Sequence, residues 1–154
     1  MPLVRQWWLA KRSNRKVALK PIIDRSAKRV RFEVVTGRAL DDFNPSQGTS
    51  SRGHATCLVC NQVADVGYVR AEGAAGRMHT MPLAVILDQE AAGKQYRTFT
   101  ARDDHLLQKS RAFVARLESE LPSQPLPPIG TLGFRVQRYG LTNWGELFSD
   151  RQGI

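Results

Sequence analysis

Cys57 and Cys60 are the two cysteines of this chain, and both lie in the stretch HATCLVCNQ at residues 54–62. A two-residue gap lets two thiolates reach one metal ion from a single tight turn. The residues around the pair favour a metal knuckle over a redox pair. A thioredoxin-type pair opens a helix, and no helical period follows Cys60. Asn61 stands where such a knuckle turns through positive φ, and asparagine is the best replacement for glycine there. A closed structural zinc site needs four ligands. The other donors to hand are His54, His79 and His105. His54 lies three residues before Cys57, a spacing that crowds one turn. His79 lies nineteen after Cys60, a workable separation, and His105 falls in the first turn of an expected helix. Each reads better as an ordinary surface or satisfied histidine. Cys57 and Cys60 therefore read as half of a zinc site that stays incomplete within these residues, with His54 and His79 as weak extra candidates, and the pair is expected to be reduced and metal-poor on an exposed turn.

No catalytic constellation accompanies the knuckle. Gly73-Ala74-Ala75-Gly76 follows a strand-like segment but opens no helix, so it is no phosphate loop. Asp41-Asp42 and Asp103-Asp104 are adjacent carboxylates with no base or metal partner in view. Ser50, Ser51 and His54 lie close in sequence without the strand–turn–helix context of a nucleophile elbow.

Charge is the second chemical signal. The 154 residues carry a formal net charge of +9. Residues 1–40 hold eleven Lys/Arg and two acids, whereas 41–154 balance. Clustered cations of this kind suit a polyanion, because they release the counterions condensed on nucleic acid. Lys11, Arg12, Arg15, Lys16, Lys20, Arg29 and Arg31 are the residues expected to contact phosphate, with DNA as the partner. No apolar run is long enough to span a membrane, and no amphipathic helix accompanies the charge, so a membrane partner is not expected. The start MPLVRQWWLAKRSNRK lacks a secretory h-region and cleavage site. Two cysteines at this spacing fit a reducing compartment, so the chain reads as intracellular and cytoplasmic.

The elements that must position these groups read as α+β: small antiparallel sheets and hairpins carrying a zinc-ribbon-like knuckle, one long amphipathic helix, and an extended C-terminal segment. Residues 17–23 read as a strand, with Pro21 marking an edge. In 29–35, Val30, Phe32 and Val34 alternate with Arg29, Arg31 and Glu33, which gives a half-buried strand with a basic outer face. Residues 37–53 read as loop, 63–70 as a strand and 71–80 as loop. Residues 81–100 form a hairpin, with strands near 83–87 and 95–99 and Gly93 in the turn; 89–92 could instead form a helical turn. Residues 101–121 form a helix capped by Thr100, with Asp103 and Asp104 at its positive end and Pro122 stopping it. Its stripe of Leu106, Leu107, Phe113, Val114, Leu117 and Leu121 reads as core or partner-facing surface. Three regions result: a basic β-rich region at 1–100 with the knuckle, the helix at 101–122, and a Pro-rich connector with a C-terminal motif at 123–154. Trp7 and Trp8 read as packing residues, with base stacking as the alternative.

Three stretches together resemble one known family. PLVRQWWLAKRSNRKVALKP, GTSSRGHATCLVC and LPPIGTLGFRVQRYGLTNWGELFSDRQ are similar, in order, to parts of the adenine-specific DNA methylases that contain a zinc ribbon. The last stretch is the most specific: Phe134, Gln137, Tyr139, Gly140, Trp144, Gly145, Leu147, Phe148, Arg151 and Gln152 match the family pattern. Leu58 and Asn61 depart from it, standing where the family prefers Pro and Gly. The resemblance implies an internal fragment of an S-adenosylmethionine-dependent DNA adenine-N6 methyltransferase of the restriction-modification kind. Family members carry a first cysteine pair just before the segment matching residues 2–9. They bind S-adenosylmethionine through an earlier segment and use an Asp-Pro-Pro-Tyr motif after the segment matching Arg151-Gln152. The fragment is then expected to bind DNA or bridge domains, to be inactive in methyl transfer by itself, and to work with the rest of a methylase in cis or in trans. Two alternatives stay open: a stand-alone nucleic-acid-binding protein, and a metal-free module docking on a separate methylase subunit.

Overall fold

The structure is a computed structural model that describes residues 1–90, 93–114, 123–133 and 135–148. Among the described residues it is α+β, with small antiparallel sheets and two α-helices. The chain divides into two compact units, Met1–Val66 with Thr80–Phe99, and Gly67–His79 with Thr100–Ile154.

The first unit is built on an antiparallel sheet of order β1-β2-β3, comprising Trp8–Arg12, Arg15–Asp24 and Arg29–Thr36. The alternation read from 29–35 holds: Phe32 is buried, Val30 and Val34 are half-buried, and Arg29, Arg31 and Glu33 are exposed. The 17–23 strand is longer than its sequence suggested and runs down the centre of the sheet. Pro21 still lies on a locally free edge. The Leu19 N–H donates to the Trp7 carbonyl at 2.9 Å, and β1 pairs with β2 no further along than Ala18. Two residues on, the missing N–H of Pro21 faces the same side, past the end of β1. Trp7, Leu19 and Phe32 form the buried centre, with Trp7 and Phe32 ring centroids 5.8 Å apart. Trp7 is therefore core, as expected.

Residues 2–7 are laced to 45–50. Trp7 N–H donates to the Pro45 carbonyl at 2.7 Å, and Gly48 N–H to the Arg5 carbonyl at 3.0 Å. A Cβ on Gly48 would lie 2.1 Å from the Val4 carbonyl oxygen, so only glycine fits. The stretch 37–53 is thus less of a loop than its composition implied: Gly37–Leu40 is a 3-10 turn and Ser50–Ser51 is strand β4. Strands β4, β5 (His54–Thr56) and β6 (Val63–Ala64) make a second small sheet. The expected hairpin is present as β7 (Ala84–Gln89) and β8 (Gly93–Thr98). It lies beside β3, whose Val34 N–H donates to Thr98 Oγ1 at 3.2 Å.

In the second unit the structure corrects the sequence reading. Beyond Val63–Ala64 the stretch 63–70 is not strand; Val66–Ala74 is helix α1. Val69 and Gly73 are buried and Val66 and Arg70 half-buried, a spacing of three, four and seven that makes one helical face. A short apolar run fits both periods, and Asp65 supplies a residue type suited to an N-cap. Gly73-Ala74-Ala75-Gly76 closes this helix. Gly76 N–H donates to the Gly73 carbonyl at 2.9 Å and Arg77 N–H to the Glu72 carbonyl at 3.0 Å, while Gly76 turns through φ 67°; this is a Schellman cap. Helix α2 runs Ala101–Val114. Its start is as expected, with Asp103 Oδ2 accepting from the Thr100 N–H at 2.9 Å and hydroxyl at 2.5 Å. On its apolar stripe, Leu106 and Phe113 are exposed and Leu107 half-buried. Leu117, Leu121 and Pro122 lie outside the described residues. No described helix is long and apolar enough to cross a membrane.

Candidate nucleic-acid interface and half metal knuckle

The knuckle is a turn between two paired strands. Arg52 and Gly53 both have positive φ, 51° and 85°, which matches the right-handed twist of a two-residue hairpin and pairs Ser51 with His54. After β5 the chain reverses. Asn61 N–H donates to the Cys57 carbonyl and Cys57 N–H to the Gln62 carbonyl, each at 2.9 Å. Asn61 takes φ 59°, as its sequence position demanded. β6 then pairs back onto β5.

Cys57 is half-buried and Cys60 exposed. Backbone N–H groups of Cys60 and Val59 point at the Cys57 sulfur, and with the Cys60 thiol they hold the Cys57 thiol below its ordinary pKa. Hydrogen bonds to the charged form favour it, so the turn is shaped to carry a thiolate. Leu58 packs against the Trp7–Leu19–Phe32 core, and the Arg25 guanidinium donates to the Val59 carbonyl. The two residues between the cysteines thus anchor the turn, and Leu58 has a packing role in it. Two cysteine sulfurs on one turn, that of Cys57 supported by backbone N–H groups, fit half of a tetrahedral zinc site. His54 sits exposed on β5, His79 is exposed after α1 in the second unit, and His105 is exposed on α2. Among the described residues no three His, Cys, Asp or Glu side chains gather as a metal-holding group.

The basic residues gather on the first sheet. At the tip of the β1–β2 hairpin, Lys11 pairs directly across from Lys16 and Arg12 from Arg15. All four are exposed. Like charges directly opposite on neighbouring strands destabilise a sheet, and none of the four has a salt-bridge partner among the described residues. Further along the sheet the pairing changes sign: Lys20 stands opposite Glu33 and Asp24 opposite Arg29. Lys20 also reaches Asp42 at 3.4 Å, which offsets its charge. Arg29 and Arg31 remain exposed on β3, Arg31 opposite Ile22. The seven predicted cations thus lie on one sheet, with four in positions that acids do not compensate: Lys11, Arg12, Arg15 and Lys16; Arg31 has an acid beside it, since the Ala27 N–H and, to a smaller degree, Arg31 hold the Asp24 carboxyl below its ordinary pKa.

Sequence reading missed Tyr96, and gave Trp8 base stacking only as the alternative to packing. Tyr96 on β8 carries the Arg15 guanidinium 5.2 Å from its ring centroid, and Arg15 donates to the Lys94 carbonyl. Trp8 is half-buried, not core: Lys11 Nζ lies 5.6 Å from its centroid, and its Nε1–H donates to Ser46 Oγ at 2.9 Å. Alternation placed Tyr96 on a strand, but nothing local says which strand that hairpin will neighbour.

The C-terminal motif has a structural role in the second unit. Gly140 turns through φ 85°, and a Cβ there would meet the Gly73 carbonyl oxygen at 2.6 Å. Gly73 in turn has no room for a Cβ, since the Tyr139 carbonyl oxygen would be 2.6 Å away. Arg70 lies 5.9 Å from the Tyr139 centroid, and Gln137 Nε2 donates to the Pro127 carbonyl at 2.7 Å. The Pro-rich connector pairs back, with Leu126 N–H donating to the Thr142 carbonyl and Trp144 N–H to the Gln124 carbonyl. Glu146 accepts from the Asn143 and Thr142 N–H groups, which lower its pKa. Gly145 and Leu147 lie in the 3-10 turn Trp144–Leu147, and Phe148 after it is exposed. Phe134, Arg151 and Gln152 lie outside the described residues.

No protein-family model, curated protein or solved structure matches this chain.

Proposed function

We propose that this chain is the DNA-contacting, zinc-ribbon-bearing part of an S-adenosylmethionine-dependent adenine-specific DNA methylase, working in the cytoplasm with the catalytic remainder of that enzyme. The observation that carries DNA contact is the pair of like-charged rungs Lys11–Lys16 and Arg12–Arg15 at the hairpin tip. A sheet that sets cations opposite cations loses stability by itself and regains it against a phosphate backbone. Arg31 and Arg29 extend the surface along the sheet, while Lys20, already held by Asp42, contributes less. Cys57 and Cys60 would hold two of the four bonds of a structural zinc, whose role is to fix the fold, and S-adenosylmethionine would bind elsewhere in the enzyme. The test is binding of a labelled DNA duplex by the purified chain at increasing salt. Affinity should fall linearly on a log–log plot, by about 0.9 in slope per phosphate neutralised. Absence of binding at low salt would overturn DNA contact. That outcome would favour the second reading, docking on a separate methylase subunit, to which the exposed Leu106 and Phe113 of α2 point.

A further inference from the structure

We propose that the cleft beside the β1–β2 hairpin holds unpaired bases of a single-stranded polynucleotide, stacked on Trp8 and Tyr96, with Arg15 and Lys16 on the phosphates. This rests on the nucleic-acid reading and narrows it from polyanion to strand. The cleft is open, about 770 Å³ in volume, and Trp8, Arg15, Lys16 and Tyr96 all form part of its wall. Both rings belong to the first unit and both are half-buried, so each offers a partly open surface while being held in place. Ser46 fixes the Trp8 indole through its N–H. The Lys94 carbonyl fixes Arg15 against Tyr96. Lys11 lies over Trp8 but is not part of the cleft wall, so the ring's contribution to the cleft is not covered by it.

Aromatic rings among backbone-neutralising cations are the recognition chemistry of single strands, whose bases have exposed π-faces. Duplex bases are already stacked on one another and cannot use them. The contrast with the adjacent Trp7 sharpens the point. Trp7 is 4% exposed and packs on Phe32, whereas Trp8, one residue on, sits on the opposite side of the strand beside the cations.

The experiment measures anisotropy of labelled oligo-dT, oligo-rU and a duplex of equal length with the full chain and with Y96A, Y96F, W8A and K16A, each checked for folding by far-UV circular dichroism. Tyr96 lies on a peripheral hairpin, so Y96A carries the result if W8A fails to fold. The expected result has three parts. One or both oligomers bind more tightly than the duplex. Y96A loses at least about fivefold of that affinity with an unchanged salt slope, as removing one stacked base contact does. Y96F binds like the unsubstituted chain, while K16A lowers the slope. A preference for dT or for rU then names the strand as DNA or RNA. Duplex binding as tight as both oligomers, with Y96A neutral, overturns the single-strand inference and leaves the basic surface standing. No binding of any probe at low salt overturns both.

Discussion

Cys57 shows how much one side chain owes to its backbone. Its thiolate is favoured by N–H groups of Cys60 and Val59, which point at it because Asn61 completes the turn in the left-handed region. The folded pKa lies below the unfolded value, so the stabilisation is fully present above the unfolded thiol pKa, about 8.5. It is lost as pH falls through the folded value. Alkylation follows the thiolate. In zinc-free protein, peptide-resolved labelling of Cys57 should reach its half-maximal rate at lower pH than the same cysteine in guanidinium; coincident profiles would refute the turn's effect. Asn61 tests the same geometry. Asn61→Gly should be tolerated, whereas Asn61→Val should lower stability by about 1–3 kcal/mol in urea unfolding, because a β-branched residue is strained at positive φ. Asn61 could be read from sequence because its requirement is local, one residue and one dihedral. Tyr96 could not, because its role comes from a proximity that only the assembled fold creates: Arg15 reaches it across 81 positions of chain.

At the scale of elements, strands with strict alternation were legible and the ambiguous ones were not. β3 follows from Arg29, Arg31 and Glu33 alternating with Val30, Phe32 and Val34. α1 was hidden because 63–70 is too short for its period to separate from a strand's, and because its last turn is a run of small residues whose meaning lies in tertiary contact. Gly73 and Gly140 share one close backbone approach: the Gly73 carbonyl occupies the space a Gly140 Cβ would need, and the Tyr139 carbonyl the space a Gly73 Cβ would need. This separates two glycines that look alike by dihedral. Gly76 (φ 67°) has nothing within 4 Å of an added Cβ, so Gly76→Ala should cost only the left-handed conformation, about 1 kcal/mol. Gly140→Ala adds a clash with the Gly73–Ala74 backbone and should cost clearly more, about 2 kcal/mol or above. Equal losses in parallel denaturant titrations would show that the close approach carries no weight.

At the scale of the whole molecule, charge is segregated by sequence and by structure together. The entire net charge lies in residues 1–40, and those residues build the first unit's sheet. Sequence alone could locate the cations but not rank them, since ranking depends on what each meets across the strand. Lys16 faces Lys11 and Arg12 faces Arg15, so removing Lys16 or Arg12 deletes an uncompensated charge. Each of Lys16→Ala and Arg12→Ala should lower the duplex salt slope by just under one and weaken binding uniformly across sequences. Lys20→Ala should lower it less, because Asp42 at 3.4 Å already offsets that charge and is released when Lys20 goes. Lys109→Ala, an exposed cation on α2 in the charge-balanced remainder, should leave the slope unchanged. Slopes measured for the four variants at several salt concentrations decide the matter. If Lys109→Ala matched Lys16→Ala, binding would follow total charge and the ordered rungs of the first sheet would have no part in it.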